Sequence, residues 1–228
     1  MKKVILGLCF LGLAQWGSAQ VDLGARIGIN AGLFELKNGY VEKTDITPRS
    51  NLIVNMDVDM PFSLVFSFRT GLGFVQKWSE IDRTKEIADT MMWTTLYRMS
   101  YLEAPLFLVA RAETDGGNFY FGAGPTLSLG VGGQVSISKR TATGTQLPLE
   151  DVQLIWNGKQ GGSEPQETFN RFSRFDLGLG AILAYRLPNK GITFTLTYNK
   201  GLRDISPYPD ITFKTSYVGL SIGFAMQN

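Results

Sequence analysis

The sequence predicts an all-β fold: an eight-stranded antiparallel up-and-down transmembrane β-barrel, with short periplasmic turns and longer extracellular loops. Three observations predict it. Apolar residues alternate with small or polar ones at period two over eight stretches. The connections between those stretches alternate between short and long. No run beyond the N-terminus approaches the ~20 consecutive apolar residues of a spanning helix. At 44% hydrophobic and 18% charged residues, the chain is also too apolar to stay unfolded.

The N-terminus comes first. Met1-Lys2-Lys3 is a short basic start, Val4 to Ala14 is apolar, and Gly17-Ser18-Ala19 supplies small residues before Gln20. This order predicts a cleaved secretory signal peptide over 1–19, leaving one domain over 20–228. Cleavage removes Lys2 and Lys3 and leaves 20 basic against 20 acidic residues, so no electrostatic footprint for nucleic acid is expected. Cys9 leaves with the signal segment, so the mature chain forms no disulfide.

The strands follow in order. In the first, Leu23, Ala25, Ile27, Ile29, Ala31 and Leu33 oppose Gly24, Arg26, Gly28, Asn30 and Gly32. The second sets Leu52, Val54, Met56 and Val58 against Ile53, Asn55, Asp57 and Asp59. The third sets Leu64, Phe66, Phe68, Leu72 and Phe74 against Val65, Ser67, Arg69, Gly71 and Gly73. In the fourth, Leu102, Ala104, Leu106 and Leu108 oppose Tyr101, Glu103, Pro105 and Phe107. The fifth, from Phe119 to Val131, opposes its apolar residues with Tyr120, Gly122, Gly124, Thr126 and Ser128. The sixth, from Phe175 to Arg186, carries Asp176, Gly178 and Gly180 on its second face; the seventh alternates Ile192, Phe194, Leu196 and Tyr198 with threonines; the eighth sets Val218, Leu220, Ile222 and Phe224 against Gly219, Ser221 and Gly223. Short turns are expected at 61–63, 112–118 and 188–190, and long loops at 35–49, 79–95, 133–173 and 203–213.

Which face is inside decides the class. The second face is mainly Gly, Ser, Thr and Asn with isolated charges, a poor surface for a soluble protein but a suitable lining for a narrow barrel. The apolar face then meets lipid, and each stretch offers the ~9–11 residues a spanning strand needs. Signal peptide and strands together place the protein in the cell outer membrane. Trp78, Trp93 and Tyr97 near the long loops, and Phe62 and Tyr185 near the short turns, are expected as interfacial girdles. Pro105 lacks a ladder donor and is expected to mark a bulge.

The sequence resembles the PorT-type outer-membrane β-barrel proteins of Bacteroidota. The resemblance rests on Gly28-Ile29-Asn30-Ala31-Gly32, Gly71-Leu72-Gly73-Phe74, Tyr101-Leu102-Glu103-Ala104-Pro105-Leu106, Gly122-Ala123-Gly124-Pro125 and the closing 217–224 strand. It implies an outer-membrane barrel; the family's namesake is implicated in protein secretion.

Histidine is absent, which excludes imidazole bases and histidine-ligated zinc. Asp57-Val58-Asp59 lacks the glycine and glutamate of a calcium loop. The glycine pairs precede no helix, so they do not hold a nucleotide. Catalytic, cofactor and metal sites are therefore not expected. Arg26, Asp57, Asp59, Arg69, Glu103, Asp176 and Arg186 fall on the inner face and are expected to form a structural network of lumenal charges. The expected role is that of a non-enzymatic barrel serving structure, interaction or surface assembly. A narrow channel for small solutes and a soluble lipocalin-like carrier are the alternatives. Expected partners are outer-membrane lipid and lipopolysaccharide, with a protein or glycan partner at the 133–173 loop, and the chain is expected to be a monomer.

Overall fold

The computed structural model describes residues 21–38, 44–84, 92–140, 146–156, 171–188, 191–208 and 211–226. The signal segment 1–19 lies outside the described residues. Eight strands form the wall: β1 (Asp22–Asn38), β3 (Ser50–Pro61), β4 (Phe66–Thr84), β5 (Met92–Thr114), β6 (Gly117–Arg140), β10 (Phe175–Arg186), β11 (Ile192–Gly201) and β12 (Ile211–Met226). Four short strands lie among the connections: β2 (Thr44–Pro48), β7 (Gln146–Gln153), β8 (Ile155–Trp156) and β9 (Arg171–Phe172).

The wall is a closed antiparallel ring. Each strand pairs with its neighbour in the order β1-β3-β4-β5-β6-β10-β11-β12, and β12 returns to β1, with Leu23 opposite Met226. Closure matters because an open sheet would leave unpaired backbone groups in hydrocarbon, at several kcal/mol each. Both ends of the wall lie with the turns after β3, β5 and β10, as an even strand number requires. The β5–β6 turn is the two-residue Asp115-Gly116, followed by Gly117 at φ 142°, and the Thr114 hydroxyl donates to the Gly117 carbonyl at 2.7 Å.

The faces follow the alternation. Ile29, Met56, Leu72, Leu179 and Leu220 are each more than half exposed, and they belong to an apolar belt present on every wall strand. Arg69, Glu103, Thr126, Asp176, Thr197 and Asn199 are buried inside. A soluble carrier would need the opposite arrangement.

The expected loops are corrected. Much of 35–49, 79–95 and 133–173 continues the sheet: β1, β4, β5 and β6 run past the belt, β2 pairs with β4, and β7 pairs with β6. The alternation continues there through Ser79, Ile81, Thr95 and Tyr97, but the polar outer face hides it from a search for apolar stripes. The interior also changes character. At the loop end, Phe34, Ile81, Tyr97, Met99, Val135, Leu154, Phe172, Ile205 and Phe213 form one buried apolar cluster. Leu154, Phe172 and Ile205 come from the connections, or from the short β9, and not from the wall.

Two finer expectations change with it. Tyr97 is not a girdle residue: it points inward, its ring 5.2 Å from Phe213 and 5.9 Å from Phe172. Trp78 does sit on the outer face, with the Arg98 guanidinium 5.7 Å from its ring; Phe62 is exposed at its turn, and the Tyr185 hydroxyl donates to the Gly116 carbonyl at 2.6 Å. The Trp93 side chain lies outside the described residues. Pro105 also leaves the register unchanged, because Glu103–Gly73 and Leu106–Thr70 share one alignment and Phe107 stays inward. The bulge is instead on β6. Ser100 pairs with Gly132 and Tyr101 with Gly130, so Val131 is the extra residue and the inward parity reverses above it.

The lumen is narrow enough that glycines make room for side chains. A Cβ on Gly180 of β10 would lie 2.7 Å from the Phe107 ring of β5. Gly180→Leu is expected to destabilise the barrel by about 1–3 kcal/mol through overpacking, and Phe107→Ala in the same chain should recover part of the loss. Thermal unfolding followed by band mobility on a detergent gel measures both. The same gel should show the unboiled wild-type chain running faster than the boiled one.

Candidate functional site

The site is the lumen. Inward positions recur every second residue on each wall strand, so side chains distant in sequence meet across a short gap. All seven charged residues expected on the inner face point inward, and the structure sorts them into two groups.

The first group lies near the short-turn end. Arg26 on β1 donates through Nε to Asp57 Oδ2 at 2.7 Å, through Nη2 to Asp57 Oδ1 at 3.2 Å, and through Nη1 to the Thr197 hydroxyl at 3.3 Å. Arg69 on β4 donates to Asp59 on β3, with Nε 3.0 Å from Oδ2 and a second, closer contact from Nη2. Arg186 on β10 donates to Asp22 at 3.2 Å. Tyr120 sits between two of these pairs, its ring 5.2 Å from the Arg69 guanidinium and 5.0 Å from that of Arg186. A cleft of about 30 Å³ opens among Asp22, Arg26, Asp59, Arg69 and Arg186, room for about two water molecules. Asp59 Oδ1, Arg186 Nε and the Tyr120 hydroxyl are buried without a hydrogen-bond partner among the described residues, so water there has groups to satisfy.

The second group centres on Lys77 of β4, which is fully buried. Its ammonium lies 3.5 Å from Glu103 and 3.8 Å from Asp176, and it donates to the Thr215 hydroxyl at 3.3 Å. Thr215 in turn donates to Asp176 at 2.7 Å. Glu103 also accepts from Tyr217 at 2.5 Å and from Ser128 at 3.0 Å. The rings of Tyr101 and Tyr217 flank the ammonium at 4.6 and 5.4 Å. Six residues from β5, β6, β10 and β12 are thereby tied to one cation on β4.

Sequence reasoning missed Lys77, Asp22 and Tyr217; it placed Tyr101 and Tyr120 on the inner face without giving them a part in the charge network. The alternation Arg69, Gly71, Gly73 continues inward through Val75 to Lys77, and extending it by four residues would have found the lysine. Among the described residues the lumen holds four cations, Arg26, Arg69, Lys77 and Arg186, against five carboxylates, Asp22, Asp57, Asp59, Glu103 and Asp176. Near-neutrality is what a low-dielectric interior demands, because an unpaired charge there costs several kcal/mol. Among the described residues, no cluster of acidic or sulfur ligands could hold a metal ion.

The outer membrane protein beta-barrel domain family matches residues 13–206, and the chain belongs to that family. No curated protein matches it in sequence. Among solved structures it is similar in fold to the attachment invasion locus protein Ail of Yersinia pestis, at 15% identity over 90% of this chain and 99% of that one, TM-score 0.37. OprG from Pseudomonas aeruginosa is similar at 11% identity over 93% and 99%, TM-score 0.44, and Neisserial surface protein A at 9% over 90% and 96%, TM-score 0.38. The protein is an outer-membrane β-barrel.

Substitutions at Lys77, with its two carboxylates, and at Arg69 test the network. Lys77→Met leaves two buried carboxylates without their cation and is expected to cost about 3–5 kcal/mol, whereas adding Glu103→Gln and Asp176→Asn should recover most of it. Arg69→Ala should lower stability in the same direction by stranding Asp59. Guanidinium titration in detergent, read by tryptophan fluorescence, gives both values.

Proposed function

We propose that this outer-membrane barrel is a non-enzymatic protein with a side-chain-filled lumen, serving as a structural, interaction or surface-assembly factor. The observation that carries the reading is the filling of the lumen at successive heights. Three arginine–aspartate pairs lie near one end, Lys77 with its carboxylates and tyrosines lies beyond them, and the apolar cluster from Phe34 to Phe213 occupies the loop end. An eight-stranded wall leaves space for side chains and little for an aqueous path.

Against an enzyme stands the chemistry of the lumenal groups. Each lumenal acidic group faces a cation or a hydroxyl, the carboxylates that meet Thr215, Ser128 and Tyr217 are also engaged by Lys77, and the chain has no histidine to serve as an imidazole base. The narrower kinship to the PorT-type barrels of Bacteroidota is part of the proposal, supported by Tyr101-Leu102-Glu103-Ala104-Pro105-Leu106, whose Glu103 and Tyr101 both contact Lys77. An accessory role in secretion would follow from that kinship. Acting as a monomer, the barrel would meet outer-membrane lipid and lipopolysaccharide through its belt. A protein or glycan partner would be met through the 133–173 segment, of which 141–145 and 157–170 lie outside the described residues.

Purified protein in a planar lipid bilayer is expected to give no stepwise conductance. Reproducible steps that change size in Lys77→Met would overturn the filled-lumen reading in favour of a narrow channel.

A further inference from the structure

We infer that the outer face of the β11–β12–β1 wall carries a binding site for the phosphate groups of outer-leaflet lipid, formed by Lys37, Lys200 and Lys214. The inference rests on the lipid-facing assignment of the barrel and is independent of whether the lumen conducts.

The apolar run on each of these three adjacent strands gives way to lysine at its loop end. On β1 the outward series Ile27, Ile29, Ala31, Leu33 is followed by Glu35 and Lys37. On β12, read toward the loops, Phe224, Ile222, Leu220 and Val218 are followed by Ser216 and Lys214. On β11, Phe194, Leu196 and Tyr198 are followed by Lys200. The register brings the ends together. Glu35 lies opposite Lys214, and Lys200 lies opposite Ser216, two residues from Lys214. Lys214 lies between the other two: Lys37 is opposite Thr212 and Lys200 opposite Ser216, each one strand and two residues from it. Lys37 and Lys200 stand roughly 16 Å apart at the backbone, a span for a headgroup with two phosphates and extended lysine side chains.

The cluster is under-neutralised. Among the described residues the carboxylate in ion-pair contact with it is Glu35, 2.9 Å from Lys37, and that pair is largely exposed; Asp204, beside the start of β12, is held instead by the backbone N–H groups of Ser206 and Phe213. The hydrogen bond from Lys37, together with the charges of Lys37, Lys214 and Lys200, holds the Glu35 carboxyl below its usual range. Lys200 and Lys214 form no ion pair among the described residues. Arg203, exposed and 5.5 Å from the Phe175 ring, extends the same positive face onto β10. Elsewhere on the outer wall, among the described residues, Arg49 is engaged with Glu80, and Arg98 with Gln134, Ser136 and the Trp78 ring.

Charge complementarity and continuity with the belt identify the occupant. A ligand seated here has its apolar part against Leu33, Val218 and Tyr198 and its anionic part against the lysines, which describes a phosphorylated lipid. Lysine stems lie along apolar surface while their ammonium groups reach the polar layer, where each cation adds to the attraction for an anionic headgroup.

The test uses full-length protein in neutral detergent, with diphosphorylated lipid A and its dephosphorylated form as probes and bound lipid counted by native mass spectrometry. Wild-type protein is expected to retain the phosphorylated form about tenfold or more over the other, with the preference falling as ionic strength rises. Lys37→Gln/Lys200→Gln/Lys214→Gln, with wild-type heat-modifiability, should lose that preference, while Arg49→Gln should keep it. Should the triple variant fail to fold, Lys200→Gln alone is expected to lower the preference severalfold. Equal retention of both lipids by wild-type protein, an undiminished preference in the folded variant, or displacement by inorganic phosphate would each overturn the inference.

Discussion

Hydrocarbon offers no hydrogen bonds, and the rest of this structure depends on that constraint. The sheet has to close, and it does so through the β6–β10 and β12–β1 pairings. Closure over eight strands fixes a narrow interior, and a narrow interior fixes what can occupy it. Half of every strand then faces lipid and must be apolar. The other half faces residues arriving from across the ring, and its members are either absent side chains, as at Gly180, or groups that satisfy one another, as around Lys77.

The interior solves two different problems along its length. Within the belt, ions are paired and hydrogen-bonded, so their desolvation is offset by contacts to several strands at once. Beyond the belt the wall is in water on its outer side, and an ordinary apolar core becomes the stabilising element. Phe34, Tyr97 and Phe213 serve there as core residues do in a soluble sandwich, with Leu154 and Phe172 closing over them. The barrel thus carries two interiors of opposite polarity stacked end to end, the lower with lipid around it and the upper with water.

Much of this was legible in the residues themselves. Period-two alternation identified the wall strands and their two faces, because lipid and lumen impose different chemistry on neighbouring positions. The seven inward charges were legible for the same reason. Where both surroundings are less distinct, legibility fell. Above the belt the outer face becomes polar, so Ser79–Thr84 and Thr94–Thr95 read as loop, and Tyr97 was placed by proximity to a loop when its parity pointed inward. Lys77 was lost because the apolar stripe fades after Phe74, although its parity with Arg69 was intact. The reversal at Val131 has no local marker: a bulge is defined by the partner strand, and one strand read alone does not contain it.

That extra residue on β6 limits how the chain can change over time. Below Val131 the even-numbered residues face inward, and above it the odd-numbered ones do, so a single strand serves both interiors only while its count is kept. Loss of one residue anywhere between Phe119 and Val131, uncompensated by a gain nearby, would turn part of the strand inside out, presenting Thr126 and Ser128 to lipid and Leu127 to the lysine network. Replacements of side chains can accumulate on this strand one at a time. Changes of length have to come in pairs, or else move to the connections beyond Arg140.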